Sequence, residues 1–158
     1  VAKNPRALEF LAKQFRSRKV EKTYLAVVKG TPVPRRGIID KNVIRDKHHR
    51  KRFAVTETGG KSAVTHYRVL KSYGNYSFVA LNPKTGRTHQ LRVHMQSIST
   101  PILGDPIYTR RDKRFPDETL HLHAYKLKIR LPGSDEIHTF RSPLPTRFKE
   151  TLKSLSNL

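Results

Sequence analysis

Tyr125-Lys126-Leu127-Lys128-Ile129-Arg130-Leu131 alternates apolar and basic side chains without a break. A period of two puts the four apolar residues on one side of an extended strand and the three cations on the other. Pro132-Gly133 and Ser134-Asp135 are turn formers that send the chain back into residues 137–140 as an antiparallel neighbour. One apolar and one charged side make residues 125–131 a half-buried strand, and the rest of the chain is read around it. Upstream, Ala63, Thr65, Tyr67 and Val69 alternate with Val64, His66, Arg68 and Leu70, and Gly74-Asn75 turns that strand into another over 76–81. Residues 23–28 (Thr-Tyr-Leu-Ala-Val-Val) are strand-like and apolar on both faces, which reads as a buried strand ending at Gly30. Residues 31–61 are polar, basic and rich in turn formers, with one short strand expected over 37–44.

Helical signals are fewer. Asn4-Pro5 is an N-cap followed by proline at the first helical position, and Leu8, Leu11, Ala12 and Phe15 then follow the i, i+3, i+4, i+7 rule. An amphipathic helix is expected over 5–18, with Arg6, Lys13 and Arg16 on its other face. Thr88 is expected to cap a helix with Leu91, Met95 and Ile98 on its apolar side, stopped by Pro101 and the Gly104-Asp105-Pro106 turn. Phe148, Leu152 and Leu155 mark a last short helix after Thr146. Strands dominate, so the fold class is α+β, a mixed and mainly antiparallel sheet with a few covering helices, in a single domain over 1–158.

Charge narrows the function. The 158 residues carry 33 Lys and Arg against 12 Asp and Glu, a net +21 with an isoelectric point near 10.8. Such an excess repels itself and is neutralised well by a polyanion, with nucleic acid ahead of an anionic membrane surface. No apolar run approaches the roughly 18 residues of a membrane-spanning helix. The chain has no cysteine, which excludes disulfides, thiolate metal sites and cysteine nucleophiles within it. The run 45–52 (RDKHHRKR) places Arg45, Lys47, Arg50, Lys51 and Arg52 around a single Asp46 on an expected loop. Those five cations suit RNA phosphates, and His48-His49 could join them; a solvated charged loop reads the same way. His89 and His94 are five apart, wrong for an i, i+4 zinc pair, whereas His121 and His123 share one side of a strand. Histidines hydrogen-bonded within the fold account for all four.

The densest polar cluster is Gly86-Arg87-Thr88-His89-Gln90-Leu91-Arg92-Val93-His94 at a loop-to-helix junction, where N–H groups and guanidinium forks can meet an anion. A basic helix facing solvent is the plainer reading. With Met95, and with Pro101-Ile102-Leu103-Gly104-Asp105-Pro106-Ile107-Tyr108 following, this block resembles the RluA-like pseudouridine synthases. The resemblance continues in Lys22-Thr23-Tyr24-Leu25-Ala26-Val27-Val28-Lys29-Gly30, in Leu122-His123-Ala124 and in Phe140-Arg141-Ser142-Pro143-Leu144-Pro145.

That resemblance implies a cytoplasmic enzyme that isomerises uridine in structured ribosomal or transfer RNA, with no metal, nucleotide or redox cofactor. The target uridine leaves its stack and enters a pocket, where an aspartate either attacks the ribose or assists departure of the base. Arg92 matches the arginine that pairs with this carboxylate and keeps it ionised in a partly dry site. Tyr24 matches the active-site tyrosine, able to stack on uracil and to take part in proton transfer; a core tyrosine of a buried strand looks alike. Leu122 matches an apolar wall of the base pocket, as would any core leucine. Arg87 is expected at a phosphate or in a loop hydrogen bond. The family's nucleophile sits in a His-Arg-Leu-Asp motif that occurs nowhere in these residues. By the family pattern it would precede Val1 by about ten residues. The expectation is a catalytic domain incomplete at its N-terminus and inactive by itself. The rival is a non-catalytic RNA-binding module, for which the charge and the tyrosines suffice.

Overall fold

The computed structural model describes residues 1–47 and 49–157. The Asn4 side chain accepts the Ala7 N–H at 2.9 Å and Pro5 follows it, so α1 (Pro5–Arg16) starts where its cap and proline require. Its seating differs from its pattern. Leu8 and Phe15 are 61% and 50% exposed, whereas Gln14 is buried with its amide bonded to both backbone polar groups of Arg130. Periodicity identifies an apolar face but not what covers it.

The strands follow as β1 (Glu21–Lys29), β2 (Arg36–Asp40), β3 (Asn42–Arg45), β4 (Phe53–Thr56), β5 (Val64–Tyr73), β6 (Tyr76–Pro83), β7 (Leu122–Arg130) and β8 (Ile137–Arg141). Six of them form one sheet in the order β2-β5-β6-β1-β7-β8, and β3 pairs with β4 in a second. Every strand pairing among the described residues is antiparallel. The expected single strand over 37–44 is corrected: Asp40 still pairs with Val64 in the large sheet, but Asn42 already faces Thr56 in the small one. Residues 53–56, expected as loop, are the strand that makes this change of partner possible. A period-two pattern cannot register a change of partner. The basic run 45–52 is therefore not all loop: Arg45 ends β3 opposite Phe53, and the later cations of the run lie in the connection to β4; His48 lies outside the described residues.

β1 is central, and alternate residues of it enter two cores. Ala26 and Val28 pack with Val79 and Leu81 of β6, Val69 of β5 and Leu91 and Met95 of α2 (Gln90–Ser97). Val27 packs on the other face with Tyr76, Leu103 and two residues of α3 (Thr146–Ser156), Phe148 and Leu155. A smaller cluster of Val43, Ala63, Val93 and Tyr108 joins the β3–β4 hairpin to the far side of α2. Thr88 is not the cap of α2. The helix starts at Gln90 behind His89, whose φ of 55° is left-handed and whose side chain makes no capping bond. The Gln90 side chain instead accepts the Arg87 N–H at 3.0 Å and holds the turn from inside the helix. No helix among the described residues is long and apolar enough to cross a membrane.

Candidate active site

β1, β7, α2 and the loop before α2 meet around a cavity of about 230 Å³ lined by Tyr24, Leu122, Arg87, His89, Arg92 and Lys22, among others. The sheet explains the first two. Tyr24 faces Ala124 and Ala26 faces Leu122, so Tyr24 and Leu122 project from the same face of neighbouring strands. A register shift in that pairing falls between Thr23 and Tyr24.

The loop wall is fixed by Gln90, which uses its whole amide. Its Oε1 accepts from Thr85 Oγ1 at 2.7 Å and from the Arg87 N–H, while its Nε2 donates to the Val64 carbonyl and Thr65 Oγ1, both at 3.0 Å. Thr65 Oγ1 lies 2.9 Å from His94 Nδ1, and His94 Nε2 donates to the Lys41 carbonyl at 3.1 Å. With Nε2 carrying the hydrogen, Nδ1 accepts from Thr65, so His94 is neutral; burial pulls its pKa down.

Arg92 is the centre of the charge. Its Nε and Nη2 reach the two oxygens of Asp105, each at 2.7 Å, and its guanidinium lies 5.1 Å from the centre of the Tyr108 ring. Asp105 has a fully buried carboxylate, and its Oδ1 also accepts the N–H groups of Ile107 and Tyr108. Burial raises the Asp105 pKa, but the Arg92 fork and the two N–H groups lower it more, leaving it below the usual carboxylate value. The hydrogen bond to Asp105 raises the Arg92 pKa in turn. The result is an oriented guanidinium at the cavity, two of its N–H groups spent on Asp105 and the rest available. Lys22 adds a second cation. Its Nζ donates to the Thr85 carbonyl at 3.3 Å, and burial pulls its pKa down.

Of the residues expected to act, Tyr24, Leu122, Arg92 and Arg87 share this one cavity. Arg87 makes the loop hydrogen bond, its Nε donating to the Ser62 carbonyl at 3.0 Å. The five hairpin cations do not line the cavity. Arg52 lies over the Tyr108 ring at 5.8 Å and Arg45 over Phe53 at 5.3 Å, while Lys47, Arg50 and Lys51 are exposed. His121 and His123 both lie against the Phe148 ring and are hydrogen-bonded, His121 to Thr119 and Thr151 and His123 to the Ser142 carbonyl. Asp105, Tyr108, Gln90 and Lys22 were not singled out by the sequence. Asp105 and Tyr108 lie within the Pro101–Tyr108 block, but nothing local shows that its carboxylate folds back onto α2.

Residues 1–97 match the family model described as RNA pseudouridylate synthase. A ribosomal large subunit pseudouridine synthase D from Borreliella burgdorferi is 49% identical over 147 residues, which is 93% of this chain and 45% of that protein. An uncharacterized RNA pseudouridine synthase from Chloroflexus aurantiacus is 38% identical over 99% of this chain and 49% of its own length. The chain thus spans about half the length of the curated relatives it matches. Among solved structures, human RNA pseudouridylate synthase domain containing 4 superposes with a TM-score of 0.80 at 27% identity, covering 97% of this chain and 69% of that one.

Proposed function

The chain belongs to the RNA pseudouridylate synthase family, and on that premise we propose that residues 1–158 form the greater part of the catalytic domain of a cytoplasmic enzyme converting uridine to pseudouridine in structured ribosomal or transfer RNA. The observation that carries this reading is the convergence on one small cavity of Tyr24, Leu122 and an Arg92 already held by both oxygens of Asp105.

A uridine flipped from its stack enters between Tyr24 and Leu122, which offer an aromatic face and an apolar wall. The nucleophilic carboxylate comes from a His-Arg-Leu-Asp segment that these 158 residues do not contain. Arg92 receives it. Because Asp105 offsets much of the guanidinium charge, Arg92 acts chiefly by directing its remaining N–H donors and so orients the carboxylate. Lys22 supplies further positive charge beside it. The bond from ribose carbon 1′ to base nitrogen 1 breaks as the carboxylate attacks the ribose or assists departure of the base. The base then turns, carbon 1′ bonds to carbon 5, and the carbon-5 proton is lost with Tyr24 placed to assist its transfer. The hairpin cations Arg45, Lys47, Arg50, Lys51 and Arg52 hold the flanking phosphates, and Arg87 stiffens the rim between them and the cavity.

Tritium release from RNA labelled at uridine carbon 5 tests the assignment. Residues 1–158 alone release none. Joined to the His-Arg-Leu-Asp segment of a relative, they release tritium, and Arg92→Ala in that fusion abolishes release. A fusion that binds RNA but stays silent would instead favour a non-catalytic RNA-binding module.

A further inference from the structure

His89 stands at the cavity rim in a setting that fixes which of its nitrogens carries the hydrogen. Its Nδ1 lies 3.0 Å from Tyr108 Oη, and the same oxygen accepts the Phe53 N–H at 2.8 Å. Tyr108 is almost fully buried, so its hydroxyl hydrogen needs a partner, and the only acceptor within reach among the described residues is His89 Nδ1. A hydrogen on Nδ1 would leave that hydroxyl unsatisfied. The proton order therefore runs from Phe53 N–H to Tyr108 O–H to His89 Nδ1, with the imidazole hydrogen on Nε2. The ring is braced edge-on by Phe53 at 5.5 Å and Tyr108 at 5.6 Å.

The other ordered histidine of this helix gives the comparison. His94 is set by the same logic, a hydroxyl on Nδ1 and the hydrogen on Nε2, and spends that hydrogen on the Lys41 carbonyl. His121 likewise uses both ring nitrogens inside the protein. His89 uses one. Its Nε2 has no protein partner among the described residues, although the ring is clamped and lines the cavity with Tyr24, Arg92 and Leu122. Clamping a ring in a strained left-handed backbone position while sparing one donor is costly for a purely structural group.

We propose that Tyr108 holds His89 as an Nε2–H donor aimed at an acceptor oxygen of the RNA nucleotide entering the cavity, making His89 an RNA contact and Tyr108 its positioning residue. The inference rests on the RNA-enzyme reading above. Because Tyr108 also receives the Phe53 N–H at the loop end of the β3–β4 hairpin, the phosphate-holding arm and this donor form one hydrogen-bonded unit. The donor is uncharged, so it selects position rather than adding to salt-dependent attraction.

Two measurements on the 158-residue chain test this. Imidazole nitrogen resonances at pH 7.5 should show His89 as a single Nε2–H tautomer, and Tyr108→Phe, which keeps the ring, should give a tautomer mixture. Binding of a uridine-containing RNA stem-loop should weaken about fivefold in His89→Asn, which suits the left-handed backbone but ends short of Nε2. His89→Gln, which reaches that position, should recover most of the loss, and the salt slope should be unchanged in both. A hydrogen on Nδ1 in the wild type, or equal RNA affinity in His89→Asn, would overturn this proposal while leaving the RNA reading intact. A wild-type chain that fails to bind the stem-loop would overturn both.

Discussion

Two buried aspartates, seven residues apart, are built alike and serve opposite faces of the sheet. Asp105 Oδ1 accepts the N–H groups two and three residues ahead, of Ile107 and Tyr108; Asp112 Oδ1 accepts those of Arg114 and Phe115. Each also holds one cation. Asp105 takes Arg92 by both oxygens, and Asp112 takes Lys29 at 2.9 Å and the Tyr76 hydroxyl at 2.8 Å. Tyr76 is pushed up to about 12 by burial and by that carboxylate. The difference lies in what remains of the cation. Arg92 keeps N–H donors at a cavity, whereas Lys29 anchors a loop and does not line that cavity. The same local turn thus makes a site on one face and a rivet on the other, and only the partner distinguishes them.

Alanine substitutions should separate the two most sharply. Asp105→Ala leaves a guanidinium only 12% exposed without its partner, and should cost about 3–5 kcal/mol in denaturant unfolding. Asp112→Ala should cost about 1–2 kcal/mol, because Lys29, 31% exposed, can turn its ammonium to water. In a tritium-releasing fusion, Asp105→Ala should also abolish turnover at temperatures where it remains folded, while Asp112→Ala should leave it near wild type. Equal effects on both would erase the distinction.

Acid should act on both faces more gently and in two stages. His94, on the Asp105 side, and His121, on the Asp112 side, have pKa values lowered chiefly by burial from the usual 6.5. The unfolded chain therefore binds their protons first, and stability should fall as pH drops below about 6.5. Asp105 and Asp112 have folded values below the usual 3.8, so their contribution is complete above that value and is lost on further acidification. Unfolding free energy measured from pH 8 to pH 3 should show the histidine limb, and His94→Gln or His121→Gln should flatten it.

The smallest effect on stability is expected from the hairpin, which has no counterpart beside Asp112. Replacing exposed Lys47, Arg50 and Lys51 by alanine should change stability by less than about 0.5 kcal/mol. It should still flatten the salt dependence of RNA binding by roughly two units if all three touch phosphate, at about 0.7 per contact. An unchanged slope would place the phosphate contacts along α2 instead.

What could be read in advance depended on how local its cause was. The Asn4 cap, the Gly74-Asn75 turn and the alternation of residues 125–131 are short-range facts, and the corresponding elements stand where those facts put them. The break at Lys41 and the missing Thr88 cap were hidden, because one depends on which strand lies alongside and the other on Gln90 reaching back into its own loop. For the cavity, motif resemblance pointed to Tyr24, Arg92 and Leu122, and the sheet register shows how two of them come to share a face. Asp105 was visible only as a turn residue. Its role depends on a fold-back of thirteen positions onto Arg92, which no spacing rule encodes.

Gln14 offers Arg130 an amide N–H and an amide carbonyl, the two groups that a neighbouring strand residue would present. β1 pairs with β7 only as far as Lys128, so beyond that point the inner edge of β7 would otherwise be a bare ladder end. The side chain of one helical residue thereby acts as a strand one residue long. It denies that edge to the backbone of another molecule, a guard against edge-to-edge aggregation in a chain whose folded surface carries several apolar side chains.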